Sequence, residues 1–150
     1  MKNVEKNQKG QALIRRGVVA VLTLLVIQFI AGMVLNLYVS IPKSHPGIHG
    51  SYAPSITWAL KAGGGVVLAI HVANAILLVI GSVALLIRSI ISHRKTFIIG
   101  VSSGLLFTLL AFSNGLGFLN AGGKNVYSLG MALAFMSAFL SYLVTFYVTR

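Results

Sequence analysis

Four apolar runs, each about long enough to cross a bilayer, constrain this chain more than any other feature. A membrane-spanning helix needs roughly 20 predominantly apolar residues. Residues 17–40 read GVVAVLTLLVIQFIAGMVLNLYVS, residues 66–87 read VVLAIHVANAILLVIGSVALLI, and further runs cover 97–119 and 126–149. The chain is 57% hydrophobic and 9% charged, whereas about a quarter of the residues of a soluble domain carry charge. The fold class that follows is all-α: a bundle of four transmembrane helices in contact with the lipid bilayer.

The segments between the runs set their order. Residues 1–16 are polar and basic without an apolar period, and read as a flexible or interfacial tail ahead of a transmembrane domain over 17–150. A basic start before an apolar run resembles a signal peptide. The first run is too long for one and is followed by no small-residue cleavage site, so it reads as a retained span. The outer loop, 41–65, opens with IPKSHPGIHGSYAP, where Pro42, Pro46, Gly47 and Gly50 forbid a regular helix. Pro54 then suits the first turn of a new helix, and Trp58 and Lys61 form an interfacial pair. Gly63, Gly64 and Gly65 divide that short piece from the second span.

Twelve Lys and Arg face a single acid, Glu5, giving a net charge of +11. One side of the membrane takes Lys2, Lys6, Lys9, Arg15, Arg16, Arg88, Arg94, Lys95 and Arg150; the other takes only Lys43, Lys61 and Lys124. This bias places both termini in the cytoplasm and the protein in the plasma (inner) membrane. Basic residues gathered at the ends of apolar runs mark orientation and attraction to anionic lipid, and no nucleic-acid partner is expected. Without cysteine or aspartate there is no disulfide, thiolate site, carboxylate pair or acidic proton relay to carry chemistry. The sequence therefore does not establish an enzyme.

His71 is the only histidine inside an apolar run, and an ionisable group at membrane depth is a functional hypothesis by default. Helical rise puts it roughly 9 Å below the outer boundary. Asn36, Asn114 and Met131 come from the other spans at similar depth, Asn74 lies one turn further along, and His45 and His49 sit in the outer loop. These residues predict a polar pocket in the outer leaflet, above an inner half that is mostly aliphatic and aromatic.

Three readings of His71 are open. It can be a packed polar contact that bonds Asn74, a backbone carbonyl or a neighbouring Asn or Ser. It can be an axial ligand of haem b with His45, His49, Met131 or Met136 as partner, small residues such as Ala69, Ala73 and Ala75 leaving room for the porphyrin. It can join His45 and His49 around copper, zinc being disfavoured without cysteine or carboxylate. Small-residue steps at Gly100/Gly104, Ala111/Gly115 and Gly130/Ala134/Ala138 offer close-packing faces within the chain or towards a membrane-protein partner or second copy.

The stretches LNLYVSIPKSHPG (35–47), HVANAILLVIGSVALLIR (71–88) and FSNGLGFL (112–119) resemble small four-span bacterial membrane proteins without an established activity. More loosely, the histidine opening a long apolar run is similar to the haem-ligand helices of cytochrome b561-type proteins and haem A synthase. That resemblance implies a b-type haem or electron-transfer subunit. Those families carry further histidines on other spans, and this chain has none. The alternative is a non-enzymatic structural or transport-associated membrane subunit without a cofactor.

Overall fold

The computed structural model describes the backbone of residues 2–148 and the side chains of residues 10–148; Arg150 lies outside the described residues. The chain forms five helices: α1 (Lys2–Tyr38), α2 (Tyr52–Leu60), α3 (Val66–Ile91), α4 (Lys95–Asn120) and α5 (Asn125–Val148). All but α2 are long and apolar enough to span a membrane. They form a ring in which α1 touches α3 and α5, and α4 touches α3 and α5, with α2 lying against α3 and α4.

Antiparallel neighbours follow from which residues meet. Gly17 approaches Leu85 while Gly32 approaches His71, so α1 and α3 run in opposite directions. On the other side Gly100 meets Thr145 and Gly117 meets Tyr127, so α4 and α5 do the same. One end of the bundle therefore carries Arg15, Arg16, Arg88, Arg94 and Lys95, and the other carries α2 and the long loop.

The basic segment is helical, because α1 runs from Lys2 onwards. The reason is local: residues 2–16 contain no proline and are rich in Lys, Gln, Glu, Ala, Leu and Arg, all good helix formers. Once the apolar part of α1 is formed, extending it costs little, since the nucleus is already in place.

Burial follows one stripe per helix. Ile14, Val18, Val21 and Leu25 of α1 face Leu78 and Leu85 of α3, Phe97 and Val101 of α4, and Tyr142 of α5 in the larger core. Their spacing of three and four residues is the seam of helices crossing at shallow angles. A smaller core at the loop end joins Ala59 of α2 to Leu68, Val72 and Leu119, with Trp58 and Leu35 packed on it. The opposite faces expose Ile30, Leu37, Ile80, Ile99, Leu129 and Val144, an apolar exterior matched to lipid.

The α4–α5 connection is the tightest in the chain. Gly122 and Gly123 take φ values of +65° and +83°, a conformation that costs glycine little and residues with a Cβ much more. Their N–H groups donate to the Leu119 and Phe118 carbonyls at 3.2 and 2.9 Å, which satisfies the end of α4.

Candidate functional site at the α1–α3 seam

Gln28, His71 and Asn74 form a polar string between α1 and α3, flanked by the two apolar cores. Its direction is set from one end. The Asn74 amide donates to the Leu24 carbonyl at 3.0 Å and to Gln28 Oε1 at 2.7 Å. With its oxygen so engaged, Gln28 turns its NH2 towards His71, and Nε2 of Gln28 lies 3.0 Å from Nε2 of the ring. An amide NH2 only donates, so His71 Nε2 accepts and the ring proton sits on Nδ1. Nδ1 is itself buried, without a hydrogen-bond partner among the described residues. The ring edge faces Gly32, where an added Cβ would stand 3.2 Å from Cε1. Glycine at that position gives the imidazole its room.

His71 and Asn74 were among the expected pocket residues; Gln28, near the middle of its span, was not. Counting from the loop end would have found it. Gln28 is ten residues before the end of α1 at Tyr38, and Asn74 eight after the start of α3 at Val66. Antiparallel helices put positions so matched at one depth.

The other expected pocket residues have separate surroundings. Asn36 is exposed near the end of α1. Asn114, half-buried, donates to its own Leu110 carbonyl at 2.8 Å and lies against Gly130. Met131 puts its sulfur beside Gly115 on the α4–α5 seam, and Met136 is exposed.

His45 is buried and acts as a fastener of the loop. Its ring stacks on Trp58 with centroids 4.3 Å apart and planes 10° from parallel. Nδ1 lies 3.1 Å from the Pro46 carbonyl and Nε2 lies 3.1 Å from the Leu119 carbonyl at the end of α4. His49 is exposed at a φ of +54°, with its backbone N–H donating to Asn120 at 3.0 Å. Asn120 returns the link by donating to the Gly50 carbonyl at 2.9 Å.

A haem at His71 asks for the nitrogen that Gln28 now occupies. No described contact joins His71 to His45, His49 or Met131, each of which has its own partners. Among the described residues, no three His, Cys, Asp or Glu side chains gather as a metal-binding group.

A second polar set, unforeseen in sequence, lies in the half of the bundle nearer the arginines. Tyr142 is fully buried on α5, with its hydroxyl beside Ser82 of α3 and Thr108 of α4. Thr108 donates to its own Gly104 carbonyl at 2.8 Å, and Ser103 and Ser141 lie 3.2 Å apart across α4 and α5. Among the described residues, the buried Tyr142 and Ser82 hydroxyls have no partner in hydrogen-bonding geometry. That half of the interior is thus less purely apolar than its Leu, Val and Phe content suggests.

The fold and the four apolar helices define a multi-pass helical membrane protein in contact with the bilayer. No protein family, curated relative or solved structure matches the chain.

Proposed function

We propose that the protein is a non-enzymatic membrane subunit, structural or transport-associated, in which His71 is a polar clamp between two spans. One observation carries this reading: the accepting nitrogen of His71 is consumed within the chain, by a string that Asn74 and the Leu24 carbonyl orient. A histidine so engaged stabilises a bundle, whereas a ligand or proton carrier needs a free nitrogen facing a cavity. The bias of Lys and Arg further supports both termini in the cytoplasm, with the subunit in the plasma membrane.

The test is spectroscopic and thermal. The protein purified in detergent after expression with ample haem shows no Soret band, and His71→Leu lowers its unfolding temperature. A Soret band that His71→Ala abolishes would replace the subunit with a haem b protein. Orientation has its own check, because the chain has no cysteine. Lys43→Cys is labelled by an impermeant maleimide on intact cells and Arg94→Cys is not; the reverse pattern would invert the topology.

A further inference from the structure

The base-rich end of the bundle holds a feature that the clamp does not explain. An open groove of about 350 Å³ lies between α1 and α5, lined by Ala12, Arg15, Arg16, Val19 and Phe146. These α1 positions recur at three- and four-residue steps, so they lie on one face of the helix. Of the four neighbouring helix pairs in the ring, α1 and α5 touch least. Nearer the loop end their seam is closed by Phe29 stacked on Phe135, with centroids 5.8 Å apart. Nearer the arginines it stays open.

Among the described side chains, residues 10–148, there is no acid to balance the charges in this groove. The Arg15 guanidinium lies over the Phe146 ring at 4.9 Å, and its Nε is buried without a hydrogen-bond acceptor among the described residues. Arg16 is exposed beside it. The backbone of Glu5, the chain's one acidic residue, is ten residues earlier on the same helix, roughly 15 Å along its axis. By contrast, the Arg94 guanidinium lies against the side-chain amide of Gln11, whose oxygen accepts from it once the amide is turned to suit both groups. Two guanidiniums in a slot, one with a donor unmet among the described residues, suit an anionic ligand.

Depth selects which anion. Arg15 and Arg16 stand where α1 passes from its polar segment into the apolar run that starts at Gly17, which is headgroup level. Just beyond them Val19 is exposed and opens the groove onto the lipid-facing surface. An occupant that fits has a phosphate at the arginines and a hydrocarbon chain along Val19. We infer that the α1–α5 groove binds an anionic phospholipid, whose phosphate sits between Arg15 and Arg16. Basic pockets between transmembrane helices are suited to such headgroups.

The experiment is native mass spectrometry of the delipidated full chain, given equal amounts of dioleoylphosphatidylglycerol and dioleoylphosphatidylcholine. Headgroup attraction is worth about fivefold in binding for each basic residue, so the two arginines favour the anionic lipid by roughly 25-fold. Arg15→Gln with Arg16→Gln removes the preference, and Arg94→Gln keeps it. Val19→Trp fills the groove, leaves both charges in place, and lowers binding of the anionic lipid. Equal binding of both lipids by the unaltered chain overturns the inference, as does a preference that survives the double variant or Val19→Trp. Displacement of the lipid by millimolar inorganic phosphate would also overturn it, as the mark of a free-anion site.

Discussion

The α1–α3 and α4–α5 seams join antiparallel spans by opposite means. Between α1 and α3, long polar side chains reach across: Gln28 bonds both Asn74 and His71. Between α4 and α5, side chains are missing on one wall and large on the other. Gly100, Gly104 and Gly117 receive Thr145, Tyr142 and Tyr127, and Asn114 fills the space above Gly130. The first seam tolerates distance because amides span it. The second depends on close approach, where dispersion and small-residue packing replace any hydrophobic drive between helices in lipid. The glycine seam should therefore be brittle to added volume, and the amide seam brittle to a change of chemistry.

The largest expected effect is Gly104→Leu. Even a Cβ at this position would stand 2.5 Å from the Tyr142 ring. Overpacking of this kind costs typically about 1–3 kcal/mol. The variant should lose its cooperative thermal transition in detergent, followed by circular dichroism, and adding Tyr142→Ala should partly restore it. A stable Gly104→Leu protein would remove close approach as the basis of that seam.

Next in size is Gln28→Leu, which strands the His71 nitrogen and takes one of two acceptors from the Asn74 amide. Interhelical hydrogen bonds in membranes average about 0.6 kcal/mol with a maximum near 1.7, so two lost bonds cost about 1–2 kcal/mol. The combined Gln28→Leu, His71→Leu and Asn74→Leu protein should be more stable than Gln28→Leu alone, because no buried polar group is then left unmatched. Additive losses in a thermal-shift cycle would show that the three residues do not act as a string.

The smallest effects sharpen the contrast. Ser103→Ala should cost no more than about 0.6 kcal/mol, the usual worth of one such contact. Tyr142→Phe should be close to neutral, since it removes a hydroxyl outside hydrogen-bonding geometry and keeps the ring that fills the space at Gly104. A loss above 1 kcal/mol for Tyr142→Phe would mean that this hydroxyl holds Ser82 or Thr108, giving the second seam a polar clamp of its own.

Much of this was legible in the sequence, for physical reasons. Apolar length alone marks four spans, since nothing else satisfies a backbone in lipid. Gly63, Gly64 and Gly65 separate α2 from α3, and the small-residue steps at Gly100/Gly104 and Gly130/Ala134/Ala138 lie on the α4–α5 seam within one chain. His71 and Asn74 stood out because polar groups at membrane depth are few. What could not be read was pairing. Asn36, Asn114 and Met131 share an approximate depth with His71, yet depth says nothing of which face a residue presents. Gln28 carried the bond because α1 turns that face to α3, while Asn36 two turns on is exposed. Tyr142 is one of several aromatic residues near the end of its span, and its burial follows from Gly104 on a different helix.

The loop fastening has a practical consequence. Trp58 is the only tryptophan in the chain, and it stacks on His45, whose other contacts are the Pro46 carbonyl and the end of α4. The protein thus carries its own fluorophore at the joint between loop and bundle. Its emission reports whether the cap is seated, without a label, in detergent or in vesicles. A change in that signal while the helices stay intact would mark the loop lifting from the bundle as a separate event from unfolding.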